Sequence, residues 1–320
     1  MATGLRLDDH TLGILCCPVC KSRLRVVGTT EFQCVNGGCL SVFPIVDGVP
    51  ILINEATSVF TFQDFVQKRE TFFRPGSAFK QLAAELLPTI SRNMKAKQNY
   101  RRFAALVKEA SARPKVLVLG GSVIGEGFDT ILSDSVISLV ETDVSLSERT
   151  VLVCDAHDLP FVDGAVEGVV AQAVLEHVLD PHRCVAEIHR VLTRNGLVYA
   201  EIPFMQQVHG GKFDFTRFTH LGLRRLFRAF DEIDTGPVCG PGMALAWSYT
   251  FFLRSFASSK LVRQFVTALA HLTAFWLKYL DHYLIDKPAT FDAASGFYFL
   301  GRKSAQIVTD KDVLRLYRGG

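Results

Sequence analysis

The chain has 320 residues, room for about two domains, and its 48% hydrophobic and 21% charged residues exclude general disorder. Lys+Arg 35 against Asp+Glu 32 leaves a net charge of +3, too small an excess to argue for a nucleic-acid partner. The mean hydropathy of +0.22 is high for a protein free in solution. Yet the N-terminus lacks an apolar signal segment, and the longest uncharged stretch, 235–253, is broken by Gly236, Pro237, Gly240, Pro241 and Gly242. A cytoplasmic chain without a membrane span is the expectation.

Five of the eight cysteines lie in the first 39 residues, and four read as Cys17-x2-Cys20, thirteen residues, then Cys34-x4-Cys39. A tight CPxC bend puts two thiolates on one side, and a second bend at Asn36-Gly37-Gly38 completes a four-sulfur set suited to structural zinc. Two disulfides or free thiols are the alternative, disfavoured in a reducing compartment. Cys16 is a substitute for Cys17, although Pro18 favours Cys17. The next run, "SVFPIVDGVPILI", places two apolar strands around Asp47-Gly48, a hairpin signal. Residues 10–54 resemble the zinc-ribbon domain of the small tRNA-methyltransferase-activator family. With four thiolate ligands the metal would be structural, with no site left open for substrate.

Residues 55–114 read as a helical linker or lid with Phe60, Phe62, Phe65, Phe72, Phe73 and Phe79 among charges. Such aromatics either pack or close over a ligand. "SRNMKAKQNYRRFAALVKEA" has helical spacing and leads into the larger domain.

"KVLVLGGS" is a buried-strand pattern feeding a glycine loop with Gly120, Gly121, Gly125 and Gly127. There the backbone is able to approach a cofactor and a helix N-terminus to direct amides at it. A second strand ends at Glu141 and Asp143, and the carboxylate placed just after the strand, Asp143, suits a ribose diol. A third ends at Asp155, suited to an adenine amino group with the next amide, of Ala156, donating to the ring; a solvated loop acid or helix cap is the plainer account of either residue. "PHRCVAEIHRVLTRNG" reads as a helix with Asp180 as cap, Pro181 in its first turn and Gly196 after its end. "LVYAEIPF", "FDEIDT" and "SGFYFLGRK" supply further strands, so the fold class is α/β, a doubly wound sheet.

Residues 155–204, "DAHDLPFVDGAVEGVVAQAVLEHVLDPHRCVAEIHRVLTRNGLVYAEIPF", resemble class I S-adenosylmethionine-dependent methyltransferases of the type 11 group, a likeness that extends over about 90–302. The resemblance implies a Rossmann-like sheet of seven strands. It also implies Gly120, Gly121 and Gly125 facing the methionine part of S-adenosylmethionine, Asp143 the ribose, and Asp155 with Ala156 the adenine. Two positions depart from the family: Val118 replaces its usual acid in the first strand, and Val166-Glu167 its usual Phe-Asp. The organisation expected is a ribbon (1–54), a linker or lid (55–114), a methyltransferase domain (115–302) with a helical insertion (244–290), and a tail (303–320).

Two rivals stand beside this reading. Tyr283-x3-Lys287 imitates a short-chain dehydrogenase, but Pro288 follows the lysine and Ala270 stands where a serine is needed. A non-catalytic scaffold is the other, suggested by Val118. Candidate catalytic residues are His177, after the fourth strand, and His209 and Asp214, in the loop "MQQVHGGKFDFTRFTHLGL", which looks like an acceptor-covering segment of sugar and polysaccharide-linked relatives. Equally, Asp214 and Arg217 pair with each other and Thr219 caps the next helix. The expected acceptor is a saccharide, lipid-linked or free, or another small molecule, and nucleic acid is not expected. Residues 260–284 read as one amphipathic helix. Leu261, Phe265, Leu272, Trp276, Tyr279 and Tyr283 lie on its apolar side, to be packed over the sheet, against a second subunit of a homodimer, or on an anionic membrane; Lys260, Arg263, His271, Lys278 and Asp281 lie on the other.

Overall fold

A computed structural model of the chain describes residues 4–69, 71 and 87–320. Phe72, Phe73 and Phe79 of the expected lid lie outside the described residues. In chain order the elements are α1 (Asp9–Gly13), β1 (Leu24–Val27), β2 (Glu31–Cys34), β3 (Val42–Val46), β4 (Val49–Leu52), α2 (Phe62–Val66) and α3 (Ala96–Ala110). Then follow β5 (Lys115–Leu119), α4 (Asp129–Leu132), β6 (Ser138–Asp143), β7 (Leu152–Cys154), β8 (Val166–Gln172), α5 (Pro181–Val191), β9 (Leu192–Pro203), α6 (His220–Leu226) and β10 (Phe230–Cys239). Four helices, α7 (Pro241–Arg254), α8 (Lys260–Ala274), α9 (Leu277–Leu284) and α10 (Thr290–Ala293), precede β11 (Gly296–Lys303) and α11 (Asp310–Arg315).

Among the described residues the sheet has eleven strands, in the order β1-β2-β3-β4-β7-β6-β5-β8-β9-β11-β10, against the seven expected for the larger domain alone. The additional four belong to the N-terminal ribbon. Asp47 and Gly48, both at positive φ, turn β3 into β4. All four residues of β4 are buried, and it pairs in parallel with β7 at Ile51↔Val153 and Leu52↔Cys154. The ribbon thus satisfies an edge that β7 would otherwise leave open. Cys16 N–H donates to the Pro160 carbonyl at 2.9 Å, and Lys21 pairs with Glu187 at 2.9 Å.

From β7 to β9 the strands run parallel, while β11 is antiparallel to both β9 and β10. All five residues of β5 are buried, Leu117 and Leu119 among the same apolar cluster as α5, Val116 and Val118 among that of α3. The pleat explains that division: successive side chains leave opposite faces, and each face is covered by a helix. Val118, where the family resemblance implied an acid, is therefore a core residue facing Tyr199 and α3.

Helix α5 starts as expected, with the Asp180 carboxylate accepting from Arg183 N–H at 3.0 Å and Pro181 in the first turn. Its end differs. The helix stops at Val191 and β9 begins at once, Leu192 pairing with Val166 ahead of a register shift, so Gly196 lies inside a strand and not at a helix terminus. The expected amphipathic helix 260–284 is two, α8 and α9, separated at Phe275 and Trp276.

Candidate functional site

The four knuckle thiols converge. Cys17 Sγ and Cys39 Sγ lie 3.8 Å apart, and Cys20 Sγ and Cys34 Sγ 3.4 Å. Zinc–sulfur bonds of about 2.3 Å in a tetrahedron require sulfur separations of about 3.8 Å, so this set fits zinc and excludes disulfides, whose sulfurs are about 2.05 Å apart. Cys16 is fully buried outside the cluster, and burial pushes its thiol up to about 11.

A cavity of about 490 Å³ opens where the strand order reverses between β5 and β8, over the C-terminal ends of the parallel strands. This is the switch point at which doubly wound sheets bind ligands. Its lining includes seven of the expected residues, Gly120, Gly125, Asp143, Asp155, Ala156, His177 and His209. Gly120 has φ +71°, and a Cβ there would lie 2.7 Å from Val174 Cγ2; a Cβ on Gly125 would strike the Gln172 side-chain amide.

Asp143 ends β6, nine-tenths buried, and accepts from Ser122 N–H at 3.0 Å. Burial raises its pKa even though these amide bonds pull the other way. Glu141, the weaker candidate, is turned aside to Arg149. Asp155 accepts from His157 N–H at 3.0 Å and Ser58 Oγ at 2.6 Å. Burial pushes its carboxyl up, but the bonds from His157 and Ser58 outweigh it and hold the pKa below the ordinary value. It therefore combines the helix-cap role with a place in the cavity wall.

Other expectations are corrected. Gly121 does not line the cavity: its N–H is bonded to the Thr142 carbonyl at 2.9 Å, and its Cα packs over Glu141. The helix N-terminus expected behind the glycine loop is absent, since α4 is a single turn beginning at Asp129. Glu167 accepts from Lys115 N–H at 2.7 Å and is thereby a strand-edge clamp. Asp214 lies outside the lining, bound by the Arg217 guanidinium and by the N–H groups of His209 (2.8 Å) and Gly210 (3.0 Å). Those bonds overcome burial and hold its pKa far below the carboxylate range, so Asp214 shapes the loop rather than accepting a proton.

The opposite lobe holds residues that sequence reasoning missed. Glu201, on β9, is buried and accepts from Asn93 Nδ2 at 2.7 Å and Gln172 Nε2 at 3.0 Å; burial pushes its pKa up to about 7. Asn93, Glu126, Gln172 and Glu201 line this lobe together. No motif marked them, because a lone acid in a strand reads as a solvent-facing alternation. The loop from β4 also enters the cavity, lining it with Thr57, Val59 and Phe60. Thr57 Oγ1 donates to Asp158 at 2.6 Å, anchoring that loop on the exit from β7.

Comparison with known proteins follows the same lines. A family model described as a methyltransferase domain matches residues 126–200. The "UPF0434 protein" of Pseudomonas fluorescens is 27% identical over 62 residues, 19% of this chain and all of that protein. Among solved structures, one from a complex containing the Trm112 methyltransferase activator of Haloferax volcanii is 18% identical, covering 67% of this chain and 99% of the other, with a TM-score of 0.39. A Burkholderia thailandensis 1,6-didemethyltoxoflavin-N1-methyltransferase is 14% identical, covering 72% and 93%, with a TM-score of 0.37.

Proposed function

We propose that the protein is an S-adenosylmethionine-dependent methyltransferase that methylates a hydroxyl of a small-molecule or saccharide acceptor, a lipid-linked saccharide being the form we favour. The observation that carries this is the division of one cavity: carboxylates Asp143 and Asp155 at one end, imidazoles His177 and His209 at the other.

Bound in that cavity, S-adenosylmethionine supplies an electrophilic sulfonium methyl. Asp143 accepts from the ribose hydroxyls, and Asp155 with the Ala156 amide reads the adenine edge. With Val118 in the core, Glu201 and Glu126 take over the amino-acid end, where an ammonium group also compensates the buried Glu201 carboxylate. Gln172 and Asn93 keep the Glu201 carboxylate aimed. Methyl transfer to a hydroxyl would require a base for the proton that the oxygen gives up as it takes the methyl group. His177 suits that role by its place: it lines the cavity, and its Nδ1–H donates to the Phe213 carbonyl at 2.7 Å, which fixes the ring. The pocket walls Phe60, Phe213 and Phe215 keep water from the methyl.

The lipid-linked form is supported by the outer face of α7–α9. Phe252, Phe256, Leu261, Phe265, Trp276 and Tyr283 are exposed there, with Lys260 and Arg263 beside them, while Met243 of α7 lines the cavity. Among the described residues no helix is long and apolar enough to cross a membrane. A cytoplasmic chain touching the bilayer through this face fits both facts, and a homodimer through the same face is its competitor. Incubation with methyl-labelled S-adenosylmethionine and a panel of acceptors, read by mass spectrometry, tests the acceptor class. A labelled methyl on a saccharide hydroxyl supports it; transfer to nitrogen or to protein overturns it.

A further inference from the structure

Beneath the acceptor end of the cavity lies a carboxylate with no hydrogen-bonding partner. Glu176 is 0% exposed, and neither of its oxygens receives a hydrogen bond among the described residues. A buried, unsatisfied carboxylate costs several kcal/mol unless something positive compensates it. Two imidazoles flank it: His177 Nε2 lies 3.7 Å and His209 Nε2 3.6 Å from Glu176 Oε1, too far for hydrogen bonds.

The orientation of both rings is fixed from behind. His177 Nδ1 is held by the Phe213 carbonyl at 2.7 Å, and His209 Nδ1 faces the Gln207 carbonyl at 3.3 Å. A ring whose Nδ1–H is engaged in this way offers an Nε2 lone pair, the usual arrangement behind a metal-bound histidine. Gly210 allows it, because a Cβ at that position would fall 2.5 Å from the His177 ring. Asp214 fixes the same loop through the N–H groups of His209 and Gly210. The three ligand atoms lie within 4.8 Å of one another, and bonds of about 2.1 Å in a tetrahedron would set them about 3.4 Å apart, a contraction of tenths of an ångström for the two measured pairs.

We propose that Glu176, His177 and His209 form a second metal site, for a first-row divalent cation such as zinc or iron(II), distinct from the four-cysteine set. Two nitrogens and one carboxylate are the ligand chemistry of open, functional sites, whereas four thiolates close a structural one. Both imidazoles line the cavity and Glu176 lies behind them, so the unfilled positions face the space where an acceptor oxygen would lie. A cation held there would replace the imidazole base: with both Nε2 atoms taken as ligands, its charge would lower the acceptor hydroxyl's pKa and stabilise the oxyanion. In that use the inference rests on the proposed acceptor chemistry; the site itself does not.

Cobalt(II) titrated into the zinc-loaded full chain tests it. The expected result is one further equivalent with weak ligand-field absorption and no thiolate charge-transfer band. That equivalent should be lost in His209→Ala and in Glu176→Gln, whose shape is conserved should the first variant misfold. Binding of S-adenosylmethionine, measured in parallel by calorimetry, should persist in both variants; its absence in the wild type would overturn the cofactor reading and leave the metal result standing. No second equivalent in wild type, the outcome if His209 is simply protonated beside Glu176, or a second equivalent retained by both variants, overturns the site.

Discussion

The ribbon at one end of the sheet and the helical layer α7–α9 that follows the strand at the other end are both additions to a doubly wound α/β core, and they meet that core in opposite ways. The ribbon contributes a strand to the sheet, and the linker that leaves it supplies a loop of the cavity wall and Ser58 to Asp155. The helical layer holds on by its polar side. Asp281 of α9 accepts from Gly242 N–H at 2.7 Å and Met243 N–H at 3.0 Å at the start of α7, and Lys278 reaches the Thr89 carbonyl. Its large apolar side chains point away: Leu261 is 78% exposed, Phe265 69% and Tyr283 74%. Amphipathicity identifies two faces of a helix without saying which one the protein keeps. A carboxylate that closes a neighbouring helix's N-terminus can outweigh apolar packing as the inward contact.

The largest test of this contrast is loss of the structural metal. Cys34→Ser should release one zinc and, because β4 pairs with β7, weaken S-adenosylmethionine binding about tenfold or more along with lowering the thermal transition. Were cofactor affinity unchanged with zinc gone, the ribbon would be a separate appendage after all. Asp143→Ala, in the core both additions share, should weaken cofactor binding by about 1.5 to 3 kcal/mol in calorimetry, as charge-assisted bonds are lost.

A comparable effect is expected from Glu201→Gln, read as stability against pH. In the folded chain Glu201 stays protonated up to about 7, whereas an unfolded glutamate ionises near 4.5. Between those values the folded state binds the extra proton, so its contribution is fully present below about 4.5 and is lost as pH rises through about 7. Denaturant titrations should show that slope flattened in the variant, with a gain on the order of 2 to 3 kcal/mol above pH 7 in the cofactor-free protein. An unaltered slope would mean that Glu201 is ionised throughout. Ser58→Ala, which removes a single linker contact to Asp155, should cost about 1 kcal/mol of cofactor affinity.

The smallest effect on stability, and the one that sharpens the contrast most, belongs to the outward face. Leu261→Ser with Phe265→Ser should shift stability by no more than about 0.5 kcal/mol for each residue, since both are exposed. The same double variant should abolish co-sedimentation with anionic liposomes at low salt. Failure of the wild type to bind such vesicles removes the membrane reading and leaves the dimer, to be tested by sedimentation.

Local order was legible in the sequence wherever a short-range rule applies. The knuckle spacing determined the four-cysteine set, Asp47-Gly48 its hairpin, Asp180-Pro181 the start of α5, and the strand-end positions of Asp143 and Asp155 their places in the cavity. Each depends on residues a few positions apart, or on where a strand meets its loop. What only the tertiary structure decided is long-range. It joined β4 to β7 across a hundred residues and turned Val118 into the α3 core. It brought His209 to Glu176 and His177, and turned Lys278 and Asp281 on the polar side of α9 inward. Backbone pairing at a sheet edge, burial on one side of a strand and the meeting of two loops are set by free energies of contact between distant segments. No periodicity within either segment records those contacts.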